Sequence, residues 1–124
     1  MNVFKIKRIY QEADKNDGMR ILIDRLWPRG IKKEDAKIDL WLKDIAPSSD
    51  LRKWFNHKPE KWTEFCEGYH KELSLKQELI QTLLDGIKKH DVTLLYGVKD
   101  EKFNNAVALK GYLERFVSQE SKEP

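Results

Sequence analysis

Hydrophobic and polar positions along the chain change period three times, and each change predicts a different kind of element. Val3 to Tyr10 mixes β-forming residues with Lys5, Lys7 and Arg8, the profile of a half-exposed strand at a sheet edge, where lysines discourage unwanted pairing. Gln11 to Gly18 is polar, ends in Asp17-Gly18 and is too short for a crossover helix. The next strand is therefore expected as an antiparallel neighbour or as one reached by a loop. Met19 to Asp24 carries Ile21-Leu22-Ile23 without alternation, which predicts a central strand covered on both faces by helices.

From Lys32 to Lys89 the period becomes helical. Ile38, Leu42 and Ile45, with Trp41 beside them, predict a short helix over 36–45 that Ala46-Pro47 ends. Ser48, Ser49 or Asp50 can cap a second short helix carrying Leu51, Trp54 and Phe55 inward, and Pro59 suits the first turn of a third. Trp62, Phe65, Cys66, Tyr69 and Leu73 then form one apolar stripe at three- and four-residue steps. Ser74 and Gln77 match a capping box opening a helix with Leu75, Leu79, Ile80, Leu83, Leu84 and Ile87 inward, and Lys88-Lys89 in its last turn.

Val92 to Gly97 is a second continuous apolar run, and Asn104 or Asn105 can cap a last helix whose inward face is Ala106, Leu109, Leu113 and Phe116. Two buried-type strands separated by a helical stretch imply a parallel pair with a right-handed crossover. The fold expected is α/β: one compact domain over residues 1–117, a small, partly parallel sheet covered by helices, and a polar tail over 118–124.

Length and composition agree with this. A chain of 124 residues can bury a core without disulfides or a structural metal. Lys+Arg number 24 and Asp+Glu 21, a net charge of only +3, whereas duplex-binding proteins show a stronger or more clustered positive excess. A single cysteine, Cys66, can form neither an internal disulfide nor a Cys-pair metal site. With no apolar leader at Met1 and no run long enough to span a bilayer, a cytoplasmic protein without membrane attachment is expected.

The densest chemistry follows the first buried strand. Asp24-Arg25-Leu26-Trp27-Pro28-Arg29-Gly30 puts a carboxylate, two guanidiniums and an indole into one turn, and arginine suits bidentate recognition of carboxylate or phosphate. The second buried strand exits into Lys99 and Asp100, then the helix start at Asn104-Asn105. Ligands of open α/β sheets lie beyond the carboxyl ends of parallel strands, so both exits are expected to form one site. There Arg25, Arg29, Lys99 and Asn104 would bind a small phosphorylated or nucleotide-like anion, with Asp24 or Asp100 orienting a hydroxyl or acting as base. Arg52 is an outer anion contact and His57 a candidate proton carrier. These residue types serve binding alone as well as catalysis, and no motif indicates a cofactor.

Plainer uses stand beside each of these. Asp24 and Arg25 can satisfy other charges and loop carbonyls, Trp27 can plug the core, and Asp100, Asn104 and His57 can cap helix ends. No spacing among His57, His70, His90 and Cys66 suits a metal, and Cys66 lies within an apolar stripe. Serine-nucleophile, P-loop and dinucleotide signatures are absent from the sequence. Arg25-Leu26-Trp27-Pro28-Arg29 and Arg52-Lys53-Trp54-Phe55 interleave bases with aromatics, so a rival expectation is a module for single-stranded nucleic acid. A third is a protein-interaction scaffold without catalysis.

With these residues in view the chain resembles the YeaO-like family, small bacterial proteins classed as a domain of unknown function. The resemblance is carried by Asp24 to Gly30, Trp41 with Lys43, Ala46-Pro47-Ser48, Leu51-Arg52 with Trp54 and His57, the Trp62, Phe65 and Tyr69 helix, and Thr93-Leu94-Leu95-Tyr96. It implies a compact cytoplasmic α/β domain with no settled reaction. The family's arginine turn maps onto Arg25 and Arg29. Its usual Asn-His-Ala at the last helix reads Asn104-Asn105-Ala106 here, so Asn105 can only hydrogen-bond, and Lys58 stands before Pro59 where an aspartate is common.

Overall fold

A computed structural model describes residues 2–122, with side chains through residue 117. Its sheet contains β1 (Phe4–Arg8), β2 (Met19–Leu22), β3 (Leu40–Trp41) and β4 (Val92–Tyr96) in the order β1-β4-β2-β3. Every pairing is parallel: Phe4 to Arg8 lie opposite Val92 to Tyr96, Met19 to Leu22 opposite Val92 to Leu95, and Ile21-Leu22 opposite Leu40-Trp41. β1 is an edge strand and β2 an interior one, as the hydrophobic pattern implies. Of the two connections expected after β1, the loop is the one that forms: residues 9–18, with a helical turn at Lys15–Asp17, lead to a strand that runs parallel to β1, and β4 inserts between β1 and β2.

The helices are α1 (Lys33–Ala36), α2 (Ser49–Phe55), α3 (Trp62–Ser74), α4 (Gln77–Lys89) and α5 (Asn105–Lys122). α5 runs past Ser118, so the polar segment expected as a tail is helical through Lys122; residues 123 and 124 lie outside the described residues. Ser48 caps α2, its hydroxyl accepting from the Leu51 amide. Asn104 does the same for Val107 at α5. The capping box expected at Ser74 and Gln77 is absent: Ser74 is the last residue of α3, and its hydroxyl donates to the Lys71 carbonyl. Leu75, expected inward, lies in the two-residue link between α3 and α4 and is 87% exposed.

The helix expected over 36–45 is replaced by α1, the short edge strand β3 and a helical turn at Lys43–Ile45. Asp39 decides this outcome. Its amide donates to the Arg20 carbonyl at 2.7 Å and its carboxylate accepts from the Arg20 amide at 2.8 Å, which docks the segment on β2. Leu40 and Trp41 then alternate between the two faces of the sheet, a period of two.

Those faces are covered differently. Ile21, Ile23, Val92, Leu94 and Tyr96 pack with Phe65, Tyr69, Leu73, Leu83, Leu109 and Leu113 of the long helices in the main core. On the reverse face Leu22, Leu95 and Ile9 meet Ala36, with Trp27, Ile31, Ile38 and Trp41 packed around them. The segment between β2 and β3, including short α1, thus provides most of the second cover. Among the described residues no helix is long and apolar enough to cross a membrane.

Candidate functional site

β2 and β4 end side by side, and the chain beyond each turns toward α5. Asp24 is fixed there from three directions. Its carbonyl accepts from Trp41 Nε1 at 2.7 Å, its Oδ2 accepts from the Gly97 amide at 2.7 Å, and its Oδ1 accepts from Asn105 Nδ2 at 3.0 Å. A Cβ at Gly97 would lie 3.1 Å from Oδ2, so glycine permits the close approach of this carboxylate to backbone. Burial pushes the Asp24 carboxyl above its usual range, against the opposing pull of the Asn105 and Gly97 hydrogen bonds and the Arg52 charge.

Arg25 leaves the sheet at the same point and reaches α2, where its Nη1 donates to Ser49 Oγ at 2.9 Å. Arg52, one turn along α2, brings Nη2 to the same oxygen at 3.3 Å. One serine hydroxyl therefore bridges two guanidiniums. Among the described residues neither has a carboxylate within 4.0 Å. Beside Ser49, Ser48 is tied to α3, its amide donating to Glu72 at 2.8 Å and its hydroxyl at 2.6 Å.

α2 ends in two consecutive left-handed residues, Asn56 (φ 46°) and His57 (φ 55°). Such backbone costs roughly 1–2 kcal/mol per non-glycine residue, and here it turns His57 back to the same cleft. That cleft has a volume of about 250 Å³. It is lined by the Arg25 and Arg52 guanidiniums, by polar His57, Asp24 and Asn105, and by apolar Phe55, Phe65 and Phe103.

The structure brings together Asp24, Arg25, Arg52, His57 and Asn104 from the residues expected in the site, and leaves out Arg29, Lys99 and Asp100. Arg29 and Lys99 are exposed. Arg29 sits beyond buried Pro28, and its carbonyl accepts from the Tyr10 hydroxyl at 3.0 Å. Asp100 accepts from the Phe103 and Lys102 amides, which hold its carboxyl below the usual range and shape the loop that presents Phe103. Asn104 lines the cleft but spends its carboxamide on structure, accepting from the Val107 amide and donating to the Asp100 carbonyl.

The remaining candidates have structural surroundings. His70 Nε2 lies 3.1 Å from the Ala108 carbonyl, and burial pushes the Cys66 thiol up. Trp54, expected inward, is 40% exposed with Lys61 Nζ over its ring. Among the described residues no group of His, Cys, Asp and Glu could hold a metal ion. Sequence reasoning treated Ser49 only as a helix cap and passed over Phe103; Ser49 meets Arg25 from 24 residues away, and Phe103 packs on distant Trp62.

The profile of the DUF488-N3i family, described as the inactive DUF488-N3 subclade, matches residues 3–124. The chain is 44% identical over 113 residues to the uncharacterized protein YeaO of Escherichia coli K12, covering 91% of this chain and 97% of that protein. It is 46% identical over 69 residues to the uncharacterized protein Rv3073c of Mycobacterium tuberculosis H37Rv, covering 56% and 58% of the two chains. No solved structure matches it. The chain belongs to the DUF488-N3i family, and with YeaO as a near full-length relative it is a YeaO-like protein.

Proposed function

We propose that this member of an inactive subclade binds a small phosphorylated or nucleotide-like anion, without transforming it, in the cleft at the carboxyl ends of β2 and β4. The observation that carries the reading is the bridge of Arg25 and Arg52 through Ser49 Oγ, with no carboxylate among the described residues within 4.0 Å of either. Two cations held together repel each other, and a bound dianion converts that repulsion into charge-assisted hydrogen bonding in a fork geometry. The left-handed turn at Asn56-His57 adds a third nitrogen donor to the same cleft. Binding without chemistry is supported by the family description and by Asn105, which donates to Asp24 and has no titratable proton of its own.

The rival reading, a single-stranded nucleic-acid module, needs aromatic faces open for stacking. Trp27 packs edge-on to Trp41 and donates Nε1 to the Ile31 carbonyl, Phe55 is buried, and exposed Trp54 has Lys61 Nζ over its ring at 4.7 Å. The small-ligand reading is the better supported.

Thermal-shift measurements against inorganic phosphate, sugar phosphates, nucleotides, dicarboxylates and a short oligonucleotide test it. A ligand at a hundred times its dissociation constant stabilises the fold by roughly 2.7 kcal/mol. That shift is expected for small phosphorylated compounds in the native protein and lost in Arg25→Ala and in Arg52→Ala, whose exposed side chains leave the fold intact. No shift with any phosphorylated compound overturns the proposal, and a shift with the oligonucleotide alone favours the rival.

A further inference from the structure

The cleft is chemically two-sided in a way that phosphate recognition leaves unexplained. Three rings of one aromatic cluster, Phe55, Phe65 and Phe103, line the same cleft as the guanidiniums. Phe55 and Phe65 have centroids 4.6 Å apart, Trp62 stacks on Phe65 at 5.5 Å, and Phe103 meets Trp62 edge-on at 5.4 Å. Phe55 and Phe65 are nearly covered, while Phe103 is only half-buried although it belongs to the same cluster.

Phe103 is held in this place by design of its loop. The Asp100 carboxylate accepts from the Phe103 amide at 3.0 Å, and the Asp100 carbonyl accepts from Asn104 Nδ2 at 2.9 Å, locking the loop onto the start of α5. A large apolar ring on a polar loop, kept at a cleft wall and partly open, gives an unfilled stacking partner. The same cleft is lined by the Asp24 carboxylate and the Asn105 amide, bonded to each other at 3.0 Å.

We infer that the ligand of this cleft is a single nucleoside monophosphate, its planar base against Phe103 and its phosphate at Arg25 and Arg52. The inference rests on the anion-binding reading above and narrows it. A sugar phosphate or a dicarboxylate offers the arginines the same charge but leaves the aromatic wall facing water, whereas a base covers it. The volume of about 250 Å³ lies below the roughly 300–1,000 Å³ of drug-sized sites, so the cleft has room for no more than one nucleotide. Asp24, with each oxygen already accepting one hydrogen bond, retains lone pairs for a base N–H or a ribose hydroxyl.

Isothermal titration of the intact protein with AMP, UMP, ribose 5-phosphate, inorganic phosphate and the 5′-phosphorylated dinucleotide pApA tests this. AMP or UMP is expected to bind at least about tenfold more tightly than ribose 5-phosphate. Phe103→Leu, which keeps an apolar side chain at this half-buried position, is expected to remove most of that difference and leave ribose 5-phosphate binding unchanged. Ribose 5-phosphate binding as tightly as both nucleotides overturns the inference while the anion site stands. So does a nucleotide preference that survives Phe103→Leu, or tighter binding of pApA than of AMP. If no phosphorylated compound binds at all, the anion-binding reading fails and the inference falls with it.

Discussion

Replacing Asp17 by alanine tests the ion-pair group that fastens the amino-terminal end of the sheet. Asp17 is 4% exposed. Its Oδ1 accepts from Lys7 Nζ at 2.7 Å, and its Oδ2 from Arg20 Nη1 at 2.6 Å and from the Asp14 amide at 3.0 Å. The Arg20 side chain is 7% exposed and also donates to the Lys37 and Ala36 carbonyls, so it cannot swing out to water without breaking the join between β2 and the α1 segment. Removing Asp17 thus leaves a buried guanidinium without its counter-ion, a loss of about 3–5 kcal/mol. For a domain of this size that lowers Tm by roughly 10–20 °C.

Urea and thermal unfolding of native protein and Asp17→Ala at neutral pH measure the difference. Asp17→Ala/Arg20→Met removes the stranded charge along with its partner and should recover part of the loss. Acid adds a signature. Burial pushes the Asp17 carboxyl up, but hydrogen bonds from Lys7, the backbone at Asp14 and Arg20 outweigh it and hold the group below its ordinary 3.8. A carboxyl depressed on folding stabilises the protein above its unfolded value, and that stability disappears as pH falls through the folded value. The gap between native protein and Asp17→Ala should therefore narrow below about pH 4. A loss under about 1 kcal/mol at neutral pH, the worth of an exposed ion pair, refutes the claim that this group acts as a buried one.

Three further substitutions probe other joints. Gly18→Ala places a Cβ 2.2 Å from the Asp91 carbonyl oxygen on a residue at φ 66°, and a loss of about 3 kcal/mol or more is expected by chemical denaturation. Tyr69→Phe removes the buried hydroxyl that donates to the Ile45 carbonyl at 2.7 Å; about 1–2 kcal/mol should be lost, since the acceptor is left dry. Leu75→Ser, at a position 87% exposed, should change stability by less than about 0.5 kcal/mol, and a loss above 2 kcal/mol in the same unfolding assay would place Leu75 in a packed contact.

Elements whose signals are local were legible in the sequence. β2 and β4 are continuous apolar runs, α3 and α4 carry long stripes, and Ser48 and Asn104 cap helices from within the adjoining turn. What sequence could not settle was decided by contacts between distant segments. Ile38, Leu42 and Ile45 fit a helical period, yet Asp39 and Leu42 find partners on Arg20 and Leu22, and pairing along β2 wins. β1 could be read as an edge, but its direction depended on β4, more than 80 residues away, entering between β1 and β2. The arginines make the same point at the site. Arg25 and Arg29 are indistinguishable by type and lie four residues apart, and only the path of the turn sends one to Ser49 and the other to solvent.

That path also accounts for the density of the Asp24 to Gly30 segment. It serves both faces of the sheet. Asp24 and Arg25 turn to the cleft, while Trp27 passes to the reverse side, where it packs edge-on to Trp41 with centroids 5.4 Å apart. Trp41 in turn donates to the Asp24 carbonyl, and Asp24 holds Gly97 and Asn105. The indole that a sequence reading assigns either to a ligand or to the core thus belongs to the core and still acts on the cleft, because it braces the residue that braces Asp24. A carboxylate fixed at both oxygens, on a backbone fixed at its carbonyl, can hold a ligand group in one orientation without rearranging to do so, which is the property a binding site gains from preorganisation.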